Sequence, residues 1–146
     1  MGLDYEIILD VYKKEIRSVL EYNSIIFHSG LTLALSDKIE SIQRNFLRNL
    51  SSYLGIKLSY SEERILYGTE LLSSHRTDQC YTWVKKHLSL ADKGVIKCLF
   101  EKRDNFSRRT MSSVFKEPQY RSSRCYTNPL NFLTRIGNEI MMNSRS

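Results

Sequence analysis

The sequence has few of the residues that mark loop-rich, disulfide-bonded or membrane-spanning proteins. Its 146 residues include 2 prolines, 6 glycines and 3 cysteines, and no stretch approaches the ~18 uninterrupted apolar residues that cross a bilayer. Cys80, Cys98 and Cys125 are odd in number and far apart, which is typical of free thiols in an intracellular protein. The first residues lack the basic region and apolar run of a signal peptide. We therefore expect an intracellular protein with no membrane partner.

Groups that carry out catalysis are also scarce in recognisable arrangements. His28, His75 and His87 fall in different predicted elements and form no metal-binding spacing such as HExxH. Cys80 and Cys98 form no CxxC pair, and the glycines are too scattered for a phosphate-holding loop. The sequence thus indicates no catalytic residue, metal, cofactor or small-molecule substrate. A spatial pair of Cys80 with His87 stays open beside the alternative, packing of Cys80 in a core.

What the sequence does contain is a series of amphipathic helices. Helical spacing of apolar residues predicts helices over about 4–22, 32–54 and 130–142, the last one following Pro129. Ser59 and Glu62 have the spacing of a capping box, which predicts a short helix ending near Gly68. A further helix is expected from Ser73 or Ser74, a weaker one over 92–100, and a connection over 23–31. The sequence predicts an all-α fold, a small helical bundle with an irregular basic C-terminal tail.

The apolar stripes of the first two long helices are expected to face the core, with the charged residues facing solvent. In the first helix the stripe consists of Ile8, Val11, Tyr12, Ile16, Val19 and Leu20. In the second helix it consists of Leu35, Ile39, Ile42, Phe46, Leu50 and Tyr53.

Charge is distributed unevenly along the chain. Residues 1–100 carry 13 basic and 12 acidic side chains, whereas residues 101–146 carry 9 basic and 4 acidic ones. We therefore expect a helical domain over 1–100 and a basic, aromatic-containing segment with a short terminal helix over 101–146. A basic segment on a nearly neutral body favours a polyanionic partner, nucleic acid before membrane. The alternative is a solvated terminus that maintains solubility.

Aromatic residues are interleaved with the cations of the second segment. Guanidinium groups suit phosphate, and aromatic rings offer faces on which unpaired bases can stack. The alternative is that the aromatic residues anchor the tail to the helical body. The residues concerned are Lys102, Arg103, Phe106, Arg108, Arg109, Phe115, Lys116, Tyr120, Arg121, Arg124 and Tyr126.

Five stretches, taken together and in order, resemble the reverse transcriptases of non-LTR retrotransposons of the jockey-like or a related group. They are residues 10–22 (DVYKKEIRSVLEY) with 25–28 (IIFH), 35–44 (LSDKIESIQR), 59–62 (SYSE), 70–76 (ELLSSHR) and 117–135. The resemblance covers nearly the whole chain and implies the thumb-like and C-terminal part of such a polymerase. His75 departs from the family, which commonly has Arg at that position.

The resemblance implies binding without catalysis. The family's catalytic aspartates lie in an F/YxDD motif of the palm, and no such pair occurs in these 146 residues. Polymerisation needs two metal ions held by those carboxylates, so we expect no enzymatic activity from this chain alone. The expected function is to grip an RNA or DNA template–primer, in the nucleus or in a cytoplasmic ribonucleoprotein.

The residues expected to bind nucleic acid come from both segments. Phosphate contacts are expected from the first two helices and from the tail, with two tyrosines stacking on bases. The alternative is a helical interaction module that docks on a polymerase palm or another partner protein and binds no nucleic acid. The expected contact residues are Lys13, Lys14, Arg17, Arg44, Arg48, Arg108, Arg109, Arg121, Arg124, Tyr120 and Tyr126.

Overall fold

A computed structural model describes residues 4–88, 99–102, 114–117 and 127–144 of the chain. Within these ranges the regular structure is helical, and the only β-type pairing is an isolated bridge between Lys102 and Phe115. The all-α prediction is therefore confirmed. In this described part of the chain, no helix combines the length and apolar character that a membrane span requires.

The first helical segment runs without a break through three stretches. These are α1 (Tyr5–Val11), a π-helical turn (Tyr12–Ile16) and α2 (Arg17–Glu21). The remaining helices are α3 (Ser24–Phe27) with a 3₁₀ turn (His28–Gly30), α4 (Leu33–Tyr53), α5 (Tyr60–Leu66), α6 (Leu72–Leu88) and α7 (Pro129–Asn143). The expected connection over 23–31 is thus largely helical. The weak helix expected over 92–100 falls almost entirely outside the described residues.

Local sequence signals fix most helix ends. The Thr32 hydroxyl accepts a hydrogen bond from the Leu35 amide at the start of α4. The predicted capping box of α5 is present, with Ser59 and Glu62 each accepting from the other's backbone amide. Gly55 follows α4 in the left-handed conformation, with φ of 71°, which glycine adopts without steric cost. Pro129 occupies the first turn of α7, as expected.

The chain divides into two compact units. The first contains Met1–Asn23 and Leu31–Arg76, and the second contains Ser24–Gly30 and Thr77–Ser146. Helix α6 therefore contributes residues 72–76 to the first unit and 77–88 to the second. The functional division at residue 100 stays a prediction, because six of the nine cations of the basic segment lie outside the described residues.

The second unit has an apolar core. It is built from α6, α7 and the short segments that contain Phe100 and Phe115, whose rings pack edge to face with centroids 5.2 Å apart. Asn138 on α7 accepts hydrogen bonds from the backbone amides of Val114 and Phe115 at 2.8 and 2.7 Å. Phe115 therefore anchors the tail to the helical body. For this one aromatic residue, anchoring rather than an exposed stacking face is what the structure shows.

The first helix of the first unit is rotated away from its predicted orientation, although Ile8 still packs against the apolar cluster of this unit. Tyr12 is fully buried as expected, but Val11 is 52% exposed and Val19 is 73% exposed. Glu21, which the apolar pattern does not select, is buried. The expectation that the whole apolar stripe faces the core is therefore wrong, because polar groups of this helix find hydrogen-bond partners inside the unit and take the inner face.

Helix α4 shows the same displacement. Its buried face lies roughly a quarter turn away from the predicted apolar stripe, at 3.6 residues per turn. Of that stripe, Leu50 is buried, whereas Leu35, Ile42 and Tyr53 are exposed. The buried residues of α4 are Glu40, Gln43, Leu47, Leu50 and Ser51.

Candidate nucleic-acid interface

A buried polar network holds the helices of the first unit in place. The Tyr12 hydroxyl donates to Gln43 Oε1 at 3.1 Å, and Gln43 Nε2 donates to the Tyr60 hydroxyl at 3.1 Å and to the Glu70 carbonyl at 2.8 Å. Burial, followed by the hydrogen bond to Glu40, raises the pKa of Tyr60 to about 12. Gln43 therefore connects the first helical segment, α4, α5 and the segment that precedes α6.

Charged groups extend this network without completing it, since Nε and Nη1 of Arg76 are buried with no hydrogen-bond partner. Glu40 accepts from the Tyr60 hydroxyl and, at 3.0 Å, from the backbone amide of Leu72. Arg76 is fully buried, and its Nη2 donates to the Ser36 hydroxyl at 3.1 Å. Burial lowers the pKa of Arg76, and the charges of Glu40 and Glu21 act in the opposite direction. This arrangement fixes the orientation of α4, whose outer side carries two of the predicted contact residues.

The three predicted contacts of the first helical segment have partners within the chain. Lys13 Nζ donates to the Tyr67 carbonyl at 3.2 Å. Lys14 pairs with Asp10 at 2.6 Å, and this hydrogen bond raises the pKa of Lys14. Arg17 pairs with Glu21 at 3.4 Å and is largely buried. A phosphate group would have to compete with these interactions, most strongly at Arg17.

The two predicted contacts of α4 are placed more favourably. The Arg44 guanidinium lies over the Tyr60 ring, 5.1 Å from its centroid. Arg48 is one helical turn further along the same face and is exposed to solvent. Arg48 also lines a cleft of about 320 Å³ together with Ser52 and the exposed Lys57. The structure thus brings two cations and a hydroxyl to one cleft.

Two further cations of this region were not among the sequence-predicted contacts. Lys57 is one of the cleft-lining residues, and the sequence gives no signal for it beyond its position shortly after Gly55. Arg64 lies over the Tyr60 ring at 5.4 Å from the centroid. The spacing of Tyr60 and Arg64, four residues apart on a helix, is the signal that could have indicated this contact.

The predicted contacts of the tail lie outside the described residues. These are Arg108, Arg109, Tyr120, Arg121, Arg124 and Tyr126. Of the other tail cations, Lys116 pairs with Glu101 at 3.0 Å. The tail contribution to nucleic-acid binding therefore stays a prediction.

The possible Cys80–His87 pair is not formed. Cys80 is fully buried in the apolar cluster of the second unit, and burial raises its thiol pKa to about 11. The ring of His87 stacks on Trp83 with centroids 4.1 Å apart, and its Nδ1 lies 2.8 Å from the Trp83 carbonyl oxygen. Cys80 is thus a core residue, as the alternative predicted.

The second unit contains another cleft, of about 440 Å³. Its lining includes Thr77, Tyr81, Phe132, Arg135 and Glu139. The Tyr81 hydroxyl donates to Glu139, which raises the pKa of Tyr81, and the Arg135 guanidinium lies 5.9 Å from the centroid of the Phe132 ring. Tyr81, Glu139 and Arg135 therefore each contact another residue that lines the same cleft. Over the ranges that the structure describes, no group of three His, Cys, Asp or Glu residues could hold a metal ion.

These features define an all-α protein with an exposed pair of cations at a cleft of its first unit. The chain matches no protein-family model, and neither a curated protein nor a solved structure matches it.

Proposed function

We propose that this chain is a non-catalytic nucleic-acid-binding module that grips the backbone of a template–primer. The proposal follows the resemblance of the sequence to the thumb-like and C-terminal part of a non-LTR retrotransposon reverse transcriptase. The observation that carries it is the pair of exposed cations, Arg48 and Lys57, at one cleft of the first unit. An intracellular location, in the nucleus or in a cytoplasmic ribonucleoprotein, is part of the same proposal.

The chemistry of this cleft suits phosphate rather than a base edge. A guanidinium group offers bidentate hydrogen bonds to phosphate oxygens, an ammonium group adds a point charge, and the Ser52 hydroxyl is a further donor. Glu63, which also lines the cleft, is only 3% exposed, so the cations rather than this carboxylate face solvent. Contacts of this type position a duplex without reading its sequence.

The proposal predicts a salt-dependent affinity that falls when these cations are neutralised. We expect the full chain to bind a labelled RNA–DNA template–primer less tightly at about 200 mM salt than at about 50 mM, because binding releases counterions. The double substitution Arg48→Gln/Lys57→Gln should weaken binding and reduce the slope of log K against log salt by about two. Fluorescence anisotropy measures both effects.

Lys38→Gln is the matched control for this experiment. Lys38 is exposed on the same helix but on a different face from Arg44 and Arg48, so the slope should stay unchanged. Substitution of Arg108 and Arg109, or of Arg121 and Arg124, tests the tail in the same assay. Absent or salt-insensitive binding by the wild-type chain would overturn the proposal, and an equal effect of Lys38→Gln would place the footprint elsewhere.

A second candidate function is favoured by the apolar side chains that the first unit exposes. Leu33 is 87% exposed, Ile65 is 83% exposed and Val19 is 73% exposed. Large apolar side chains in solvent are typical of protein interaction surfaces when they form a contiguous patch. A helical module that docks on a polymerase palm or another protein would use such a patch. Dependence of folding or solubility on a palm fragment would support this candidate over the first.

A further inference from the structure

A nearly buried carboxylate lines the same cleft as Arg48 and Lys57. Glu63 on α5 is only 3% exposed. Among the described residues, its carboxylate accepts no hydrogen bond and forms no ion pair. Its two oxygens are also absent from the side-chain atoms that this part of the chain seals from solvent without a partner. The oxygens therefore open to the cleft, at its inner side.

This arrangement favours a ligand that brings a hydrogen-bond donor. A buried acceptor without a partner has lost hydration without compensation, and the cost is larger for a charged group than for a neutral one. The two exposed cations do not supply the missing bond, since Arg48 and Lys57 take part in no ion pair of the described residues. A donor that enters the cleft would supply it, and hydrogen bonds to a carboxylate are among the strong ones.

The groups around the cleft suit a phosphate together with the sugar next to it. Arg48 and Lys57 are exposed at the cleft and offer charge to the phosphate. Ile56 and Leu58, each 37% exposed, also line the cleft and offer apolar contact to sugar carbons. Glu63 is then the acceptor that remains for a sugar hydroxyl.

The ribose 2′-hydroxyl is a donor that accompanies each phosphate of RNA and is missing from DNA. Acidic side chains accept from this hydroxyl in dinucleotide-binding sites. We infer that Glu63 accepts a hydrogen bond from the 2′-hydroxyl of a ribonucleotide whose phosphate lies against Arg48 and Lys57, so that the cleft selects an RNA strand over a DNA strand. This inference rests on the proposed function, because it names the strand of the template–primer that occupies the cleft.

Two template–primers that differ only in this hydroxyl test the inference. Both have the same DNA primer and the same template sequence, with RNA in one template and 2′-fluoro-RNA in the other. The two templates carry the same charge and favour the same sugar pucker, but fluorine donates no hydrogen bond. Fluorescence anisotropy should show that the full chain binds the RNA template about tenfold more tightly, the ratio that one hydrogen bond to a charged group provides. EDTA in the buffer excludes a metal ion that bridges carboxylate and phosphate.

Substitutions of Glu63 test whether this residue is the source of the preference. Glu63→Met removes the acceptor, keeps the side-chain length and should abolish the preference for the RNA template. Glu63→Gln keeps one acceptor oxygen and should retain part of the preference. Glu15→Met is the matched control: Glu15 is exposed and lies outside the cleft, so this variant loses the same charge and should keep the full preference. Circular dichroism checks that the variants fold.

The outcomes separate this inference from the function on which it rests. Wild-type binding that falls with salt but is equal for the two templates would overturn the inference and leave the proposed function intact. A preference that Glu63→Met retains would also overturn it, because the hydroxyl would then be recognised elsewhere. Absence of binding to either template–primer would overturn the proposed function and this inference together.

Discussion

The buried residues of the two units differ in polarity. The core of the second unit is apolar, with Val84, Phe100, Phe115, Leu133 and Ile136 all nearly inaccessible to solvent. The first unit has a small apolar cluster, Leu47, Leu50 and Tyr67, beside a larger set of buried polar and charged groups. Its apolar side chains are instead found in number on the surface.

This difference shows what each core requires of its residues. An apolar core tolerates substitutions that preserve volume, because its attraction is non-directional. A buried polar network is stabilising only when each group has its partner, since an unpaired buried group loses its hydration without compensation. We therefore expect the first unit to be sensitive to loss of single polar atoms and the second to be sensitive to changes of shape.

The largest expected effect is the loss of Arg76. Arg76→Met keeps most of the side-chain volume but removes the buried positive charge that acts on Glu40 and Glu21. Glu21 keeps its ion pair with Arg17, but the buried Glu40 loses the neighbouring positive charge. Leaving this carboxylate without a compensating charge costs about 3 kcal/mol of unfolding free energy. Urea denaturation followed by circular dichroism measures the change. Lys38→Met, an exposed substitution, should stay within about 0.5 kcal/mol of the wild type; a similarly small effect of Arg76→Met would remove the contrast between the two cores.

A smaller effect is expected for the Tyr60 hydroxyl. Tyr60→Phe leaves Glu40 Oε1 and Gln43 Nε2 each without one hydrogen-bond partner, which should cost about 2 kcal/mol. The change can be followed by the same denaturation experiment.

The pH dependence of this variant provides an internal check. The pKa of Tyr60 is raised to about 12 in the folded protein, above its ordinary value near 10. The contribution of Tyr60 to stability is thus complete below pH 10 and is lost as the pH rises toward 12. The difference in unfolding free energy between wild type and Tyr60→Phe should shrink over this interval. A constant difference would show that the Tyr60 phenol does not titrate as the buried network implies.

The smallest of these effects tests the shape of the second core. A Cβ atom at position 137 would lie 2.8 Å from Phe100 Cε1 and 3.4 Å from Phe115 Cδ2. Gly137→Ala should destabilise the protein by about 1 kcal/mol net, because overpacking outweighs the gain in helix propensity. Gly30→Ala, where a Cβ meets nothing within 4 Å, should be neutral or slightly stabilising. Equal melting temperatures of the two variants would contradict tight packing around position 137.

Helix positions could be predicted from the sequence because their signals are local. Thr32, Gly55, Ser59 and Pro129 act on the backbone of their own turn, and each marks a helix end in the structure. The short helix α3 was not predicted, since it is a single turn with little room for a periodic pattern.

The direction in which a helix faces was harder to predict. Apolar periodicity selects Val19 and Ile42 as inner residues, whereas the structure buries Glu21 and Gln43. Gln43 accepts from Tyr12, which lies 31 residues away in the sequence, and Glu21 contacts His75, which lies 54 residues away. Partners at such separations are not visible in a local pattern.

The candidate interface could be predicted only in part, because a local pattern shows residues that share a helix face but not residues that the fold brings together. Arg44 and Arg48 share a helix face and could be selected from spacing alone. Lys57 joins them through the turn after α4, which depends on how the chain folds back at Gly55. Lys13 and Arg17 have partners within the chain, and one of these, the Tyr67 carbonyl, is 54 residues away.

The outward orientation of part of the apolar stripe in the first helical segment can be tested with two valines. Val19, a member of that stripe, is 73% exposed, whereas Val84 of the second unit is 0% exposed, and their side chains have the same intrinsic reactivity. Hydroxyl-radical footprinting, read out by mass spectrometry, should modify Val19 readily and leave Val84 protected. Protection of Val19 equal to that of Val84 would show that the apolar stripe faces inward, contrary to the structure.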